Sequence, residues 1–220
     1  MTEEMMTVAL PKGKLLGPTV KLLGLLGLPA EGISEESRKL IYEYPEMGVQ
    51  YVMCRPTDVP TFVEHGAADL GIVGKDIILD QEKDVFEMLD LGYGYCRFVL
   101  AVPADQVEVP LASLNYKRVA TKFPAVARQF FSEKGLQVEV IKLHGNIELA
   151  PRVGLAEMII DIVSTGKTLK ENNLAPREEI AVCTARLIVN RVSYRTKNSR
   201  INPLIEKMKV ILQEGTLTDD

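Results

Sequence analysis

The sequence contains no tryptophan, and it has only two histidines and three cysteines among 220 residues. Cys54, Cys96 and Cys183 are odd in number, widely separated and set in apolar sequence, so neither a disulfide framework nor a thiolate metal cluster is indicated. His65 and His144 are too far apart in sequence to form a local metal-binding motif. We therefore expect a protein of a reducing compartment, the cytoplasm, without a metal cluster or a hydrolytic triad.

Long apolar runs and a strong charge of one sign are also missing. No run approaches the roughly 18 residues that a membrane span requires, and the N-terminus lacks a basic segment followed by an apolar core. The net charge is -4, with acids and bases mixed along the chain. We therefore expect neither a membrane nor a nucleic acid as partner, and an anionic ligand would need a local cluster of cations.

Short apolar runs alternate with helix-like segments, the pattern of an α/β protein with well-filled cores. Strands are predicted at residues 6–10, 50–54, 69–73, 95–102, 118–121, 137–141 and 159–163. A long apolar run at residues 179–189 is predicted to carry the chain back from the second lobe to the first. A final amphipathic helix is predicted to begin at Asn202 and Pro203. The pattern predicts two lobes, residues 1–98 with 186–220 and residues 99–185, and a ligand site in the cleft between them.

The segment after the strand at residues 159–163 has the character of a phosphate-binding turn. Residues 164–167 connect that strand to a helix predicted to begin at Thr168, and backbone N–H groups at a helix start bind anions. Gly166 permits close approach, while Asp161 is placed to accept hydrogen bonds from sugar hydroxyls. Asp161 also stands where a Walker A loop needs glycine, which excludes that motif. The alternative is a buried strand followed by an ordinary serine-threonine turn.

Cations follow two of the predicted strands. Lys12 and Lys14 flank Gly13 directly after the first strand, where open α/β sheets place their ligands, and they could hold a polyphosphate. Arg55 follows the strand that ends at Cys54 and suits a bidentate grip on pyrophosphate oxygens. The alternative for the lysines is that they are solvated loop residues.

Arg38 and Arg97 are similar candidates, and Arg97 lies inside an apolar strand where an unpaired guanidinium is costly. Either arginine could instead be structural and neutralised by an acid such as Asp58 or Asp69. Glu148 stands near the start of another predicted helix and could bind ribose hydroxyls or a divalent ion. An acid in that position would also stabilise the helix by about 0.3–1 kcal/mol without any ligand.

Together these segments are similar to the ATP phosphoribosyltransferase family, and the resemblance covers nearly the whole chain. The matching blocks are residues 9–15 (ALPKGKL), 36–40 (ESRKL), 68–76 (ADLGIVGKD), 94–97 (GYCR), 118–124 (RVATKFP), 148–151 (ELAP), 154–156 (GLA) and 161–169 (DIVSTGKTL). The last block resembles the loop that binds phosphoribosyl pyrophosphate (PRPP). It departs from the common type I version of that loop because Ile162 stands where a second acid is usual.

The resemblance implies a two-lobed α/β fold like the type II periplasmic binding proteins, with the active site in the interdomain cleft. It also implies a reaction that joins N1 of the ATP adenine to the anomeric carbon of PRPP, with inversion, loss of pyrophosphate and use of Mg2+. In this chain the implied PRPP site consists of Glu148 and Asp161 at the ribose and Ser164, Thr165, Gly166, Lys167 and Thr168 at the 5-phosphate. The implied catalytic residues at the departing pyrophosphate are Arg38 and Arg55, while Lys12, Lys14 and Arg97 would contact ATP or pyrophosphate.

The length of the chain resembles the short form of the family, in which no regulatory domain follows the catalytic lobes. The resemblance therefore implies a homodimer of catalytic chains and a separate regulatory subunit that resembles histidyl-tRNA synthetase. The residues that would hold Mg2+ stay unassigned. Two alternatives remain open at this point: a solute-binding module with the same scaffold, and a phosphoribosyltransferase for another base such as a purine or orotate.

Overall fold

A computed structural model of the chain describes residues 5–215, which form an α/β protein with two separate sheets. The strands are β1 (Met6–Pro11), β2 (Ile41–Tyr44), β3 (Val49–Cys54), β4 (Leu70–Gly74), β5 (Phe86–Asp90), β6 (Cys96–Pro103), β7 (Arg118–Thr121), β8 (Glu139–Lys142), β9 (Met158–Val163), β10 (Leu174–Cys183) and β11 (Ala185–Val189). The helices are α1 (Leu16–Leu25), α2 (Val59–Glu64), α3 (Lys75–Gln81), α4 (Pro124–Glu133), α5 (Leu149–Arg152), α6 (Lys167–Glu171), α7 (Arg191–Thr196) and α8 (Asn198–Gln213). Within this described range, the helices are all too short or too polar to cross a membrane.

Residue contacts divide the chain into two compact units. Unit 1 contains the described residues up to 78, residues 82–95 and those from 184 onward, whereas unit 2 contains residues 79–81 and 96–183. The main chain therefore enters unit 2 at the start of β6 and leaves it at the end of β10. These crossings precede the predicted lobe boundaries, after residues 98 and 185, by a few residues.

Unit 1 is built on a six-stranded sheet in the order β2-β3-β1-β4-β11-β5. The central strands β3, β1 and β4 are parallel, and β1 is buried along most of its length because parallel strands are covered on both faces. The amphipathic helix α8 packs Ile201, Ile205, Met208 and Ile211 into the same core. Because β1 pairs in parallel with β3 and β4, the carboxyl ends of all three strands lie at one edge of this sheet.

Unit 2 is built on a five-stranded sheet in the order β10-β6-β9-β7-β8. Strand β7 runs parallel to β8 and β9, while β6 is antiparallel to β9 and β10. Helix α4 buries Val126, Ala127, Phe130 and Phe131, which lie at helical spacing on one face. The carboxyl ends of β7, β8 and β9 therefore share one edge of this second sheet.

Three local predictions differ from the structure. The run at residues 179–189 is two strands, because β10 pairs with β6 in unit 2 whereas β11 pairs with β4 in unit 1. Helix α8 begins at Asn198, before the predicted start, and holds Pro203 in its interior. The helix after the phosphate-binding turn begins at Lys167 rather than at Thr168 and is only five residues long.

Candidate functional site

Lys12 and Arg55 leave the sheet of unit 1 side by side. The parallel register pairs Pro11 of β1 with Cys54 of β3, and the N–H of Lys12 donates to the carbonyl of Cys54 at 3.0 Å. Lys12 and Arg55 are the next residues after these paired strand ends. The cations predicted from separate parts of the sequence thus meet at one sheet edge.

Arg38 and Lys14 reach the same edge by two different routes. The carbonyl of Leu40 accepts from the N–H of Met53 at 2.8 Å, so Arg38, two residues before Leu40, lies toward the carboxyl end of β3. Lys14 follows Gly13, whose φ of +88° turns the chain from β1 into α1. We call Lys12, Lys14, Arg38 and Arg55 the basic edge.

The basic edge concentrates positive charge, and one carboxylate lies against it, because the N–H of Gly13, between Lys12 and Lys14, donates to Glu35 Oε1 at 2.5 Å. Across residues 5–215, none of its four side chains forms an ion pair with a carboxylate. Lys12 is half-buried, and the other three are exposed. A cluster of unpaired cations at the end of parallel strands attracts polyanions, so this edge fits pyrophosphate or a nucleoside polyphosphate.

The predicted phosphate-binding turn lies at the corresponding edge of unit 2. Strand β9 ends at Val163, and Gly166, with a φ of +78°, precedes the first residue of α6. The side chains of Ser164, Thr165, Lys167 and Thr168 are exposed, while Leu169 is buried and anchors α6 to the core of unit 2. Because α6 is short, anion binding here rests on the N–H and hydroxyl donors of the turn more than on a helix dipole.

Asp161 lies in β9 just before this turn, and its carboxyl group has a raised pKa. Burial is the main cause that raises the pKa of Asp161 to about 6, and the nearby Glu148 carboxylate contributes in the same direction. The N–H of Ile162, which donates to Asp161 Oδ1 at 2.8 Å, and the ammonium of Lys122 act in the opposite direction. Glu148 is thus near enough to Asp161 to act on it electrostatically, and its place at a ribose stays a prediction.

Lys122 is a candidate that reasoning from the sequence did not single out. It follows β7, whose register pairs Thr121 with Ile160, so Lys122 stands level with Asp161 on the neighbouring strand. The signal was present, because Lys122 comes directly after a predicted strand, as Lys12 and Arg55 do. We call Lys122, Glu148, Asp161 and residues 164–168 the loop edge.

Arg97 belongs to unit 2 and not to the sheet that carries the basic edge. It lies in β6 of unit 2 opposite Val163, beside the start of the turn at residues 164–166. Its Nη1 is 3.0 Å from Glu179 Oε2, and its side chain is 36% exposed. The guanidinium of Arg97 is therefore paired with Glu179 and not with Asp58 or Asp69, the acids considered from the sequence. Asp69 is buried in unit 1, where its Oδ2 lies 3.1 Å from Lys197 Nζ.

The loop edge is the place where a divalent cation fits best. Residues 5–215 hold no group of three or more histidine, cysteine or acidic side chains arranged as a metal site. Mg2+ is commonly held by one or two carboxylates together with substrate phosphates. Glu148 and Asp161, two carboxylates close enough to raise the pKa of Asp161, match that donor set, whereas the basic edge would repel a free cation.

Comparisons with known proteins agree with the family resemblance found in the sequence. The sequence model of the ATP phosphoribosyltransferase family matches residues 55–210. An ATP phosphoribosyltransferase of Syntrophomonas wolfei subsp. wolfei is 59% identical over 216 residues, covering 98% of this chain and 100% of that protein. The solved ATP phosphoribosyl transferase (HisG:HisZ) complex from Thermotoga maritima contains a chain that matches with a TM-score of 0.81 and 37% identity, covering 96% of this chain and 100% of that one.

A more distant structure bears on the fold alone. A histidine kinase sensor domain with similarity to periplasmic binding proteins matches with a TM-score of 0.58 at 10% identity, covering 98% of this chain and 93% of that chain. The predicted α/β fold of the periplasmic-binding-protein type is thereby confirmed. The sequence matches also confirm the resemblance on which the site was predicted, and the chain belongs to the ATP phosphoribosyltransferase family.

Proposed function

We propose that this chain transfers the phosphoribosyl group of PRPP to N1 of the adenine ring of ATP and releases pyrophosphate, the first step of histidine biosynthesis. The observation that carries the proposal is the 59% identity to an ATP phosphoribosyltransferase along the full length of that relative. The two sheet edges supply groups suited to the substrates. We place the reaction in the cytoplasm, where ATP and PRPP are made.

The loop edge suits the phosphoribosyl part of PRPP. The turn of residues 164–168 offers N–H groups and hydroxyls to the 5-phosphate, and Asp161 and Glu148 offer carboxylate oxygens to the ribose hydroxyls. Because the pKa of Asp161 is about 6, this carboxyl is mostly ionised at pH 7 and can accept two hydrogen bonds. Lys122 lies beside it and balances part of the acidic charge.

The basic edge suits the pyrophosphate. In the reaction the bond from the anomeric carbon to the pyrophosphate oxygen breaks, and a bond from that carbon to adenine N1 forms on the opposite face. Adenine N1 already has a lone pair, so the site needs no strong general base. Negative charge grows on the departing pyrophosphate, and Arg38 and Arg55 can stabilise it in the transition state, with Lys12 and Lys14 nearby for ATP phosphates.

Mg2+ would be held at Glu148 and Asp161 together with substrate oxygens. When bound, it supplies positive charge that neutralises phosphate oxygens and makes pyrophosphate a better leaving group. The carboxylates themselves position the ribose, so their role does not end with the metal.

We also propose a regulatory partner. The Thermotoga maritima chain that resembles this one was solved in a HisG:HisZ complex, and a HisZ-like subunit related to histidyl-tRNA synthetase would fill the same place here. A homodimer of catalytic chains is the arrangement that we propose for the chain by itself.

The proposal is tested by continuous absorbance of the purified chain with ATP, PRPP and Mg2+, while pyrophosphatase removes pyrophosphate. We expect a signal from the N1-substituted adenine product that requires both substrates, with or without added HisZ-like subunit. Mixtures with orotate or hypoxanthine in place of ATP are the controls and should stay silent. Binding of PRPP without pyrophosphate release, even with the partner subunit, would overturn the proposal in favour of a solute-binding module.

A further inference from the structure

Two cysteines that are far apart in sequence lie directly opposite each other in the sheet of unit 2. Cys96 is the first residue of β6, Cys183 is the last residue of β10, and the antiparallel register pairs their Cα atoms. Strand β10 has two irregularities, but both come before Ala181. From Ala181 to Cys183 the pairing with Phe98 to Cys96 is regular, so the opposition of the two cysteines follows from the sheet itself.

This juxtaposition satisfies the geometric needs of a disulfide. Directly opposed residues of an antiparallel pair have Cα atoms roughly 4.5–5.5 Å apart and side chains on the same face of the sheet. Disulfides span Cα distances of about 4.4–6.8 Å. The shared face is the one that carries Phe98, two residues along β6, which is fully buried.

The position of the pair gives such a bond a structural consequence. Cys96 and Cys183 are the residues at which the main chain enters and leaves unit 2. A bond between them closes the long segment of unit 2 into one covalent loop. A disulfide that closes a long loop removes more conformational entropy from the unfolded state than one that closes a short loop. A bond between Cys96 and Cys183 therefore stabilises unit 2 more than a disulfide between residues close in sequence would.

We propose that Cys96 and Cys183 form a reversible cross-strand disulfide when the chain meets a low-molecular-weight disulfide such as oxidised glutathione. Cys96 is partly exposed whereas Cys183 is buried, so the thiolate of Cys96 attacks first and releases one glutathione thiol. The thiolate of Cys183 then attacks the sulfur of Cys96 and releases the second thiol. Two protein thiols lose two electrons and two protons to one glutathione disulfide, and excess thiol reverses the exchange.

The first test is to incubate the full chain with oxidised glutathione, block remaining thiols and map the peptides without reduction. We expect a cross-linked peptide that joins Cys96 to Cys183 and disappears on reduction. The oxidised chain should also unfold at a temperature higher than the reduced chain, by roughly 5–10 °C.

Cys54 provides the matched control, because it is a buried cysteine that belongs to unit 1, whereas the pair belongs to unit 2. Cys54→Ser should keep the cross-link and the thermal shift, whereas Cys96→Ser should lose both. Cys183→Ala should leave glutathione attached to Cys96. A wild-type chain that keeps both thiols, or that carries only glutathione on Cys96, would overturn the proposal without reliance on any variant.

Discussion

The two units of this protein place different chemistry at the same kind of sheet edge. In unit 1 the strands β1 and β3 are followed by lysine and arginine side chains that form no ion pair within residues 5–215. In unit 2 the edge at which β7, β8 and β9 end carries a carboxylate pair, two lysines and a turn rich in hydroxyl and N–H donors. In both sheets the candidate binding residues thus lie at the carboxyl edge of the parallel strands, and the side chains there determine which part of a ligand can bind.

The difference predicts two kinds of kinetic defect. Full positive charges act most strongly where negative charge develops, so losses at the basic edge should appear mainly in kcat. Hydrogen-bonding groups that hold the phosphate and sugar act in the bound substrate as well as in the transition state, so losses at the loop edge should appear mainly in KM for PRPP.

The largest effect is expected from Arg55→Ala. Removal of one fixed charge from the departing pyrophosphate should lower kcat by roughly 100- to 1000-fold, with a much smaller change in KM for PRPP. Steady-state kinetics with both substrates varied measure this split.

Arg195→Ala is the matched control for Arg55→Ala. Arg195 is an exposed arginine of α7, which follows β11, and β11 runs antiparallel to β4 and so ends at the opposite edge of the sheet. Its kcat should equal that of wild type. A rise in KM for PRPP with unchanged kcat in Arg55→Ala would mean that the basic edge binds substrate and does not stabilise the leaving group.

A smaller effect is expected from Asp161→Asn. The amide keeps the shape of the side chain but loses a charged hydrogen bond to ribose, worth about 1.5–3 kcal/mol. We expect kcat/KM for PRPP to fall by roughly 10- to 100-fold, mainly through KM. In wild type, kcat/KM for PRPP should also decline as pH falls through the Asp161 pKa of about 6, and this decline should be less steep in Asp161→Asn, where only the substrate phosphate still titrates near pH 6.

Asp161→Asn should also stabilise the folded chain, by a free energy smaller than its effect on catalysis. Because burial raises the pKa of Asp161 to about 6, the folded chain binds more protons than the unfolded chain between about pH 4 and pH 6. The free energy of unfolding of wild type therefore falls as pH rises through this window. Asp161→Asn should be more stable by about 1–2 kcal/mol at pH 7.5 and equal to wild type below pH 4, as measured by urea unfolding. An equal gain at both pH values would assign the effect to packing and not to ionisation.

The sequence was most informative where local pattern and chemistry coincide. Strands β1, β3 and β9 are apolar runs followed directly by lysine, arginine or serine, so both the strands and the residues after them could be predicted. The edge strands β2 and β5 were missed because they are short and mix polar with apolar residues. Such strands depend on a neighbouring strand for their conformation, which a local pattern does not contain.

Pairings between distant strands were the part that the sequence could not supply. The level position of Lys122 and Asp161 follows from the register of β7 on β9, and the opposition of Cys96 and Cys183 follows from the register of β6 on β10. Arg97 could be predicted to need a partner, but Glu179 reaches it only because β10 is irregular between Glu179 and Ala181. A one-residue shift of register would have selected different partners.

Arg97 gives the smallest expected effect, because it is a cation of unit 2 whose charge is already paired with Glu179. Its ion pair with Glu179 is largely solvent-exposed, so a double-mutant cycle of Arg97→Met and Glu179→Gln should give a coupling of only about 0.2–1 kcal/mol in unfolding. If Arg97 contacts ATP or pyrophosphate, as predicted, Arg97→Met should raise KM for ATP severalfold while Glu179→Gln leaves it unchanged. Equal KM values in both variants would make Arg97 a structural partner of Glu179, and the contacts to ATP would then belong to the basic edge of unit 1.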